Sequence, residues 1–159
     1  MEGFCAMGCV SACAYGGGTV INAIATGHGA AFPISLKVVA EVCRSDEYRV
    51  ESYAEVDLAP VRRIVEKVAE RFGTGPLSVR FSGDLPTAGG LKSSSAAVNT
   101  LIVAAARLAG VEIDLFDAAR LNAQLSKWAG ISVTGAFDDA VASAVGRKIG
   151  RASCRERVC

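Results

Sequence analysis

The chain has 159 residues, with 17 Lys and Arg against 16 Asp and Glu, and 51% of its residues are hydrophobic. Its near-neutral charge, with no basic band and no interleaved aromatic residues, argues against a nucleic-acid-binding protein. No apolar run reaches the roughly 20 residues that span a bilayer, so we expect no membrane insertion and a single globular domain of ordinary length.

The beginning of the chain lacks the features of an exported protein. Glu2 stands where a secretory signal carries Lys or Arg, and glycines and cysteines break the apolar run that follows. We therefore expect a cytoplasmic protein. Cys5, Cys9, Cys13 and Cys43 lack the Cys-x-x-Cys pairs and nearby histidines of zinc sites, so they are predicted to be small packing residues in a reducing compartment.

The first half of the chain predicts strands followed by a helix. Glycines and β-branched residues after residues 16–18 indicate a loop-rich opening, and a long strand follows over about residues 31–43. Alternation over residues 48–55 predicts its hairpin partner, with residues 44–47 as the turn. Pro60 opens a helix that runs to Phe72, with one apolar face and one charged face that we interpret as solvated surface.

The second half predicts a short strand, residues 77–81, and then three helices. Residues 96–109 form a helix that is apolar almost all round and is therefore expected to be buried. Asp114 caps the next helix, and residues 137–145 form the last one. The core-facing stripe of the middle helix is predicted to be Ala118, Leu121, Leu125 and Trp128.

The segment DLPTAGGLKSSSAAVN, residues 84–99, joins a turn-forming glycine pair to a serine-rich helix start. A helix N-terminus presents unpaired N–H groups and about half a positive charge, so it attracts anions, and serine hydroxyls add donors and a magnesium ligand. Phosphate is the expected ligand, and a plain loop capping a buried helix is the alternative. The segment is not a Walker A loop, because Leu91 stands before Lys92 where that motif needs glycine.

This segment resembles the second motif of the GHMP kinases, in which a proline and small residues precede Gly-Leu-Gly-Ser-Ser-Ala, with Lys92 replacing the middle glycine. Two further segments, GGGTVINAIATGHGAAF at residues 16–32 and VTGAFDDAVAS at residues 133–143, are similar to the opening and the acidic segment of one branch, the archaeal-type shikimate kinases. Order and spacing agree as well, so the resemblance covers nearly the whole chain.

The resemblance implies an α+β fold, the GHMP-kinase N-terminal domain, which is similar to the second domain of ribosomal protein S5. It implies transfer of the ATP γ-phosphate to the 3-hydroxyl of shikimate with Mg²⁺, and it leaves the oligomeric state open. Ser94 corresponds to the magnesium-ligating serine. The residues expected to bind ATP are Pro86, Ala88, Gly89, Gly90, Leu91, Lys92, Ser93, Ser94, Ser95 and Ala96.

Asp138 aligns with the aspartate that orients or deprotonates the acceptor hydroxyl; its neighbour Asp139 is the rival, and both suit a helix cap. Asn22 and Thr26 are expected to line the substrate pocket. The ammonium group of Lys92 either offsets charge on the phosphates or is simply solvated. No carboxylate lies between residues 117 and 138, where several GHMP kinases supply a second magnesium ligand.

The last eleven residues, IGRASCRERVC at 149–159, resemble a translated sequencing adapter and are not expected to belong to the native domain. We expect residues 1–148 to be a truncated N-terminal ATP-binding domain, with the ferredoxin-like C-terminal domain missing and little activity remaining. Two alternatives stay open: a GHMP kinase for another alcohol such as homoserine or mevalonate, and a non-catalytic S5-like module.

Overall fold

The computed structural model of the chain describes residues 8–21, 28–87, 89–133, 135 and 137–145. The four strands are β1 Cys9–Ile21, β2 Ala30–Arg44, β3 Arg49–Ser52 and β4 Leu77–Gly83. The four helices are α1 Ala59–Phe72, α2 Ser93–Leu108, α3 Leu115–Trp128 and α4 Phe137–Val145. The predicted α+β class is confirmed, whereas the predicted tail at 149–159 lies outside the described residues.

The sheet has the order β1-β2-β4-β3, with β3 and β4 parallel and the other two pairs antiparallel. The predicted hairpin between residues 31–43 and 48–55 is therefore wrong. β4 takes the place beside β2 because its alternating residues Leu77, Val79 and Phe81 all turn into the core. Helix α1 carries the chain from β3 to β4, which is the kind of crossover that parallel strands require.

The middle of the predicted loop-rich opening, residues 22–27, lies outside the described residues, and its first three residues, 19–21, belong to a strand instead. That strand, β1, is an edge strand of 13 residues that the sequence pattern did not indicate. It contains the glycines at 16–18, and the backbone N–H of Gly17 donates to the Leu91 carbonyl at 3.0 Å. A Cβ on Gly16 would stand 2.9 Å from the same carbonyl oxygen. These glycines therefore let the loop before α2 approach the strand closely, which is one of the uses of glycine inside a strand.

The helices pack on one face of the sheet, and the core lies between them and the strands. Helix α1 contributes Ile64, Val65, Val68 and Ala69, while its charged residues face outward as predicted. Helix α2 contacts β1, β2 and all three other helices. The prediction that α2 is buried almost all round is confirmed, and its first turn is consequently held in a fixed position.

Helix α3 faces the core largely as predicted, except at its last residue. Ala118 is buried, and Leu121 and Leu125 pack against the core as expected. Trp128 is 52% exposed, and Asn122 and Ser126 are buried in its place. The indole ring lies under the guanidinium of Arg63 and the ammonium of Lys67, at 5.7 and 6.0 Å from the ring centroid. The cations of α1 hold the indole ring at the surface, while Asn122 and Ser126 of the same helix are buried with polar partners.

Cys9 and Cys43 form a disulfide bond, so the prediction that the cysteines are reduced packing residues is wrong for this pair. The two residues lie directly opposite each other in the register of β1 and β2, which brings their side chains together. Cys13 is free and exposed. In the part of the chain that the structure describes, no helix has both the length and the apolar character needed to cross a bilayer.

Candidate functional site

The loop between β4 and α2 brings most of the predicted phosphate-binding residues to the start of α2. Gly89 and Gly90 are exposed, Gly90 has a φ of 69°, and Leu91 accepts the bond from β1. The first bond of the helix runs from the N–H of Ala96 to the Lys92 carbonyl at 3.0 Å. The N–H groups of the preceding three serines therefore lack a partner within their own helix.

Lys92 is the N-cap residue of α2, and its backbone is left-handed, with φ 64° and ψ 28°. Among the described residues it is the one non-glycine residue with a positive φ. This conformation costs an L-residue roughly 1 kcal/mol relative to glycine, and such strain persists where the surroundings hold the residue in place. No side chain caps this end of the helix, so the N–H groups stay available for an external anion.

The side chain of Lys92 is not solvated. Its Nζ lies 2.9 Å from Oδ2 of Asp139 in α4, and the two side chains are only 19% and 12% exposed. Burial raises the pKa of Asp139, the charge of Asp138 adds to the rise, and the hydrogen bond and charge of Lys92 oppose it. Among the described residues, Oδ1 of Asp139 and Oγ of Ser143, one turn further along α4, are buried without a hydrogen-bond partner.

Asp138 precedes Asp139 in the first turn of α4 and is half-buried. Its carboxylate does not take part in the ion pair with Lys92, which uses Asp139. The structure thus distinguishes two carboxylates that sequence reasoning ranked only by alignment. Asp139 faces Lys92 at the start of α2 from inside the fold, whereas Asp138 keeps contact with solvent.

A cavity of about 250 Å³ lies on another flank of the α2 first turn, and its lining is predominantly apolar. Thr87, Ser93 and Ser94 line the end that adjoins the loop, and Tyr53 and Val56 line part of the remainder. The hydroxyl of Tyr53 donates to the Leu85 carbonyl at 2.5 Å, and burial together with the charge of Asp84 raises its pKa.

Sequence reasoning missed this cavity, because its walls come from separate parts of the chain. The segment between β3 and α1 contributes Tyr53, Val56 and Leu58, and the interior face of α2 contributes Ala97 and Leu101. The apolar residues before Pro60 were the available signal, but they carry no motif.

Ser94, the predicted magnesium ligand, is exposed at the helix start. No group of three or more His, Cys, Asp or Glu residues placed to hold a metal ion occurs within the described ranges. A single protein hydroxyl is compatible with an Mg²⁺ ion coordinated mainly by phosphate oxygens and water, which is the usual way this ion binds with nucleotides. The predicted residues Asn22, Thr26 and Ala88 lie outside the part of the chain that the structure describes.

Residues 59–147 match the GHMP kinases N terminal domain. The chain is 44% identical over 137 residues to a shikimate kinase from Halobacterium salinarum, and 45% identical over 137 residues to one from Methanothrix thermoacetophila. These alignments cover 81% and 85% of this chain but 48% of each relative. The chain therefore spans about half the length of the curated relatives it matches.

Solved structures share the fold at low sequence identity. The Methanococcus jannaschii mevalonate kinase superposes with a TM-score of 0.71 at 14% identity, covering 89% of this chain and 52% of that one. The Streptococcus pneumoniae phosphomevalonate kinase in complex with phosphomevalonate and AMPPNP gives a TM-score of 0.69 at 17% identity, covering 85% of this chain and 47% of that one. This likeness confirms the architecture of strands and helices described above.

Proposed function

The chain belongs to the GHMP kinases, and we propose that it forms the nucleotide-binding half of a kinase that transfers the γ-phosphate of ATP to the 3-hydroxyl of shikimate. One observation carries the proposal. The open first turn of α2 adjoins an apolar cavity on one flank and the Lys92–Asp139 pair on another. A phosphate-binding turn flanked in this way leaves room for ATP on one side and for the acceptor alcohol on the other side of the transferred γ-phosphate.

The donor is assigned to the cavity side. The purine base of ATP occupies the apolar cavity, and its phosphates extend past Ser93 and Ser94 onto the N–H groups of the glycine loop and the helix start. Lys92 lies beside this position and offsets negative charge on the β- and γ-phosphates. Ser94 holds the Mg²⁺ ion, which when bound neutralises charge on the same phosphates.

The acceptor is assigned to the α4 side, where Asp138 is the available carboxylate because Asp139 is engaged by Lys92. Asp138 orients the acceptor hydroxyl and accepts its proton. The hydroxyl oxygen forms a bond to the γ-phosphorus, the bond from that phosphorus to the bridging β,γ-oxygen breaks, and ADP leaves. Positioning and charge neutralisation supply most of the catalysis in such a step, which suits a site built from a helix start and one lysine.

Shikimate is proposed as the acceptor because the matched relatives are shikimate kinases. Asn22 and Thr26 are proposed to contact it. A cytoplasmic location is proposed as well, since the reaction needs ATP. The mevalonate and phosphomevalonate kinases share the fold at 14% and 17% identity, which is too remote to favour their acceptors.

The test uses a chimera, because the matched relatives are about twice as long as the matched region. Residues 8–145 replace the corresponding half of the Methanothrix thermoacetophila shikimate kinase, and ADP release is measured with shikimate, homoserine and mevalonate. We expect shikimate alone to support turnover. Preference for another alcohol would refute the acceptor assignment, and failure of both the chimera and the isolated chain to bind Mg·ATP in calorimetry would favour the non-catalytic module.

The assignment of Asp138 is tested in the same chimera. Asp138→Asn is expected to lower kcat at least about a hundredfold, in the range of a lost general base, while the KM for ATP changes little. The matched control is Asp117→Asn, which removes an exposed carboxylate paired with Arg120 on the surface of α3. Equal effects of the two substitutions would contradict the catalytic role.

A further inference from the structure

A chain of four hydrogen bonds between buried polar side chains and helix carbonyls links α2, α3 and α4. Asn99 Nδ2 donates to the Ala140 carbonyl, and Asn122 Nδ2 donates both to the Ser95 carbonyl and to Asn99 Oδ1, each at 2.8 Å. Ser126 Oγ donates to Asn122 Oδ1 at 2.8 Å. Asn99 and Asn122 are 2% and 1% exposed. We call these three residues, Asn99, Asn122 and Ser126, the amide relay.

The amide relay is not needed to satisfy backbone groups. Ser95 and Ala140 lie inside helices, so their carbonyls already accept a hydrogen bond from the N–H group four residues later. A buried polar network contributes little net stability compared with apolar side chains of similar volume. What it does contribute is a defined geometry, because a satisfied network is stable in only one arrangement of its members.

The two carbonyls that receive these bonds lie next to the residues of the proposed site. Ser95 follows Ser94 in the first turn of α2, and Ala140 follows Asp139 in the first turn of α4. The Lys92–Asp139 ion pair joins the same two turns. The starts of α2 and α4 are thus tied together twice, once by this ion pair and once by the amide relay inside the core.

We propose that Asn99 and Asn122 are positioning residues for phosphoryl transfer. By fixing the first turn of α4 against the first turn of α2, the amide relay sets where the Asp138 carboxylate stands relative to the phosphates. The inference rests on the proposed function, because it names the residues that hold the first turns of α2 and α4 of the proposed site in position. A misplacement of about 1 Å is enough to lower a rate by roughly a hundredfold, so a network with one stable geometry has a direct kinetic use.

The first test needs no activity and uses the 159-residue chain. Asn99→Leu and Asn122→Leu remove the inter-helix bonds while keeping the branched side-chain shape and the number of heavy atoms, and Thr100→Val is the matched control. Thr100 is 1% exposed and adjoins Asn99, but its hydroxyl donates to the Ala97 carbonyl of its own helix. Hydrogen exchange followed by mass spectrometry is expected to show at least about fivefold faster exchange in α4 for both Leu variants, with α1 unchanged. Unchanged α4 protection in a folded Leu variant would overturn the inference.

The second test uses the chimera. Each Leu variant is expected to lower kcat at least about tenfold while the KM for ATP stays within about threefold, and the double variant is expected to be no slower than the slower single one. Loss of kcat in Thr100→Val to the same extent, or losses that multiply in the double variant, would overturn the positioning role. An inactive wild-type chimera would count against the proposed function instead, and the exchange measurement would then decide the inference alone.

A milder variant keeps the proposal testable if the Leu variants do not fold. Ser126→Ala removes the outermost donor and leaves Asn122 Oδ1 without it, while both asparagines remain. We expect a loss of kcat of about two- to fivefold, again without a change in the KM for ATP. An unaltered kcat together with unaltered exchange in α4 would contradict the amide relay.

Discussion

The end of α1 and the beginning of α2 contain almost the same backbone conformation in two different residues. Gly73 ends α1 with φ 64° and ψ 30°, and Lys92 begins α2 with φ 64° and ψ 28°. At Gly73 the residue type suits the conformation and closes the helix with bonds to Ala69 and Glu70. At Lys92 the residue type does not suit it, and an ion pair holds the lysine there. The end of α1 is therefore stabilised by a residue that suits its backbone, whereas the start of α2 depends on a contact with another helix, beside the proposed site.

The largest effect is expected at Lys92. Lys92→Ala is predicted to lower the free energy of unfolding by about 3 kcal/mol, because it leaves the Asp139 carboxylate buried without its partner. It is also predicted to weaken Mg·ATP binding by at least about tenfold, since one charge-assisted contact is lost. Lys92→Gly should recover about 1 kcal/mol of that stability by relieving the backbone strain, without recovering the affinity. Denaturant unfolding and calorimetry measure both, and tight Mg·ATP binding by Lys92→Gly would contradict the phosphate role.

The matching substitution at the other terminus is predicted to act on stability alone. Gly73→Ala places a Cβ where no atom lies within 4 Å, so only the left-handed backbone resists it. The expected cost is about 1 kcal/mol in unfolding free energy, with Mg·ATP affinity unchanged. A change in affinity would show that the end of α1 and the start of α2 are coupled.

A smaller effect is expected in the pH dependence. Burial raises the pKa of Asp139 above its unfolded value of about 3.9, so the native state binds this proton more tightly than the unfolded state. The contribution of this group to stability is therefore fully present below about pH 3.9 and decreases as the pH rises through the folded pKa. The unfolding free energy of the wild type minus that of Asp139→Asn should fall over this interval. A difference that rises with pH would show that Lys92 outweighs burial.

The smallest effect is expected on the solvated face of α1. Glu66→Ala removes an exposed partner of Arg62, whose Nε lies 3.5 Å from the carboxylate one turn away. Such pairs contribute no more than about 0.5 kcal/mol and are screened by salt. We expect a shift in unfolding free energy of that size at low salt and none at high salt, with no effect on nucleotide binding. A loss above about 1 kcal/mol would mean that this face has a function.

The helices and strands that were predicted correctly are those for which several local sequence signals point to the same element. Pro60 and the 3.6-residue period gave α1, and the alternation of residues 77–81 gave β4. Contacts between remote segments were not predicted correctly: β3 pairs with β4 instead of β2, and the strand β1, which contains glycines, was not anticipated. Trp128 faces outward although Ala118, Leu121 and Leu125 face the core as predicted, because the cations of α1 lie over its ring.

The sequence by itself determined the fold class, the family and the segments proposed to carry the chemistry, because these depend on residue types at short spacing. It placed a phosphate-type motif before a buried helix and two adjacent carboxylates further along the chain. Only the tertiary structure decided that Asp139 pairs with Lys92, that Asn99 and Asn122 join three helices, and that an apolar cavity adjoins the start of α2. Ion pairs, buried hydrogen bonds and cavities depend on distances between segments that are remote in the chain, and no local pattern encodes those distances.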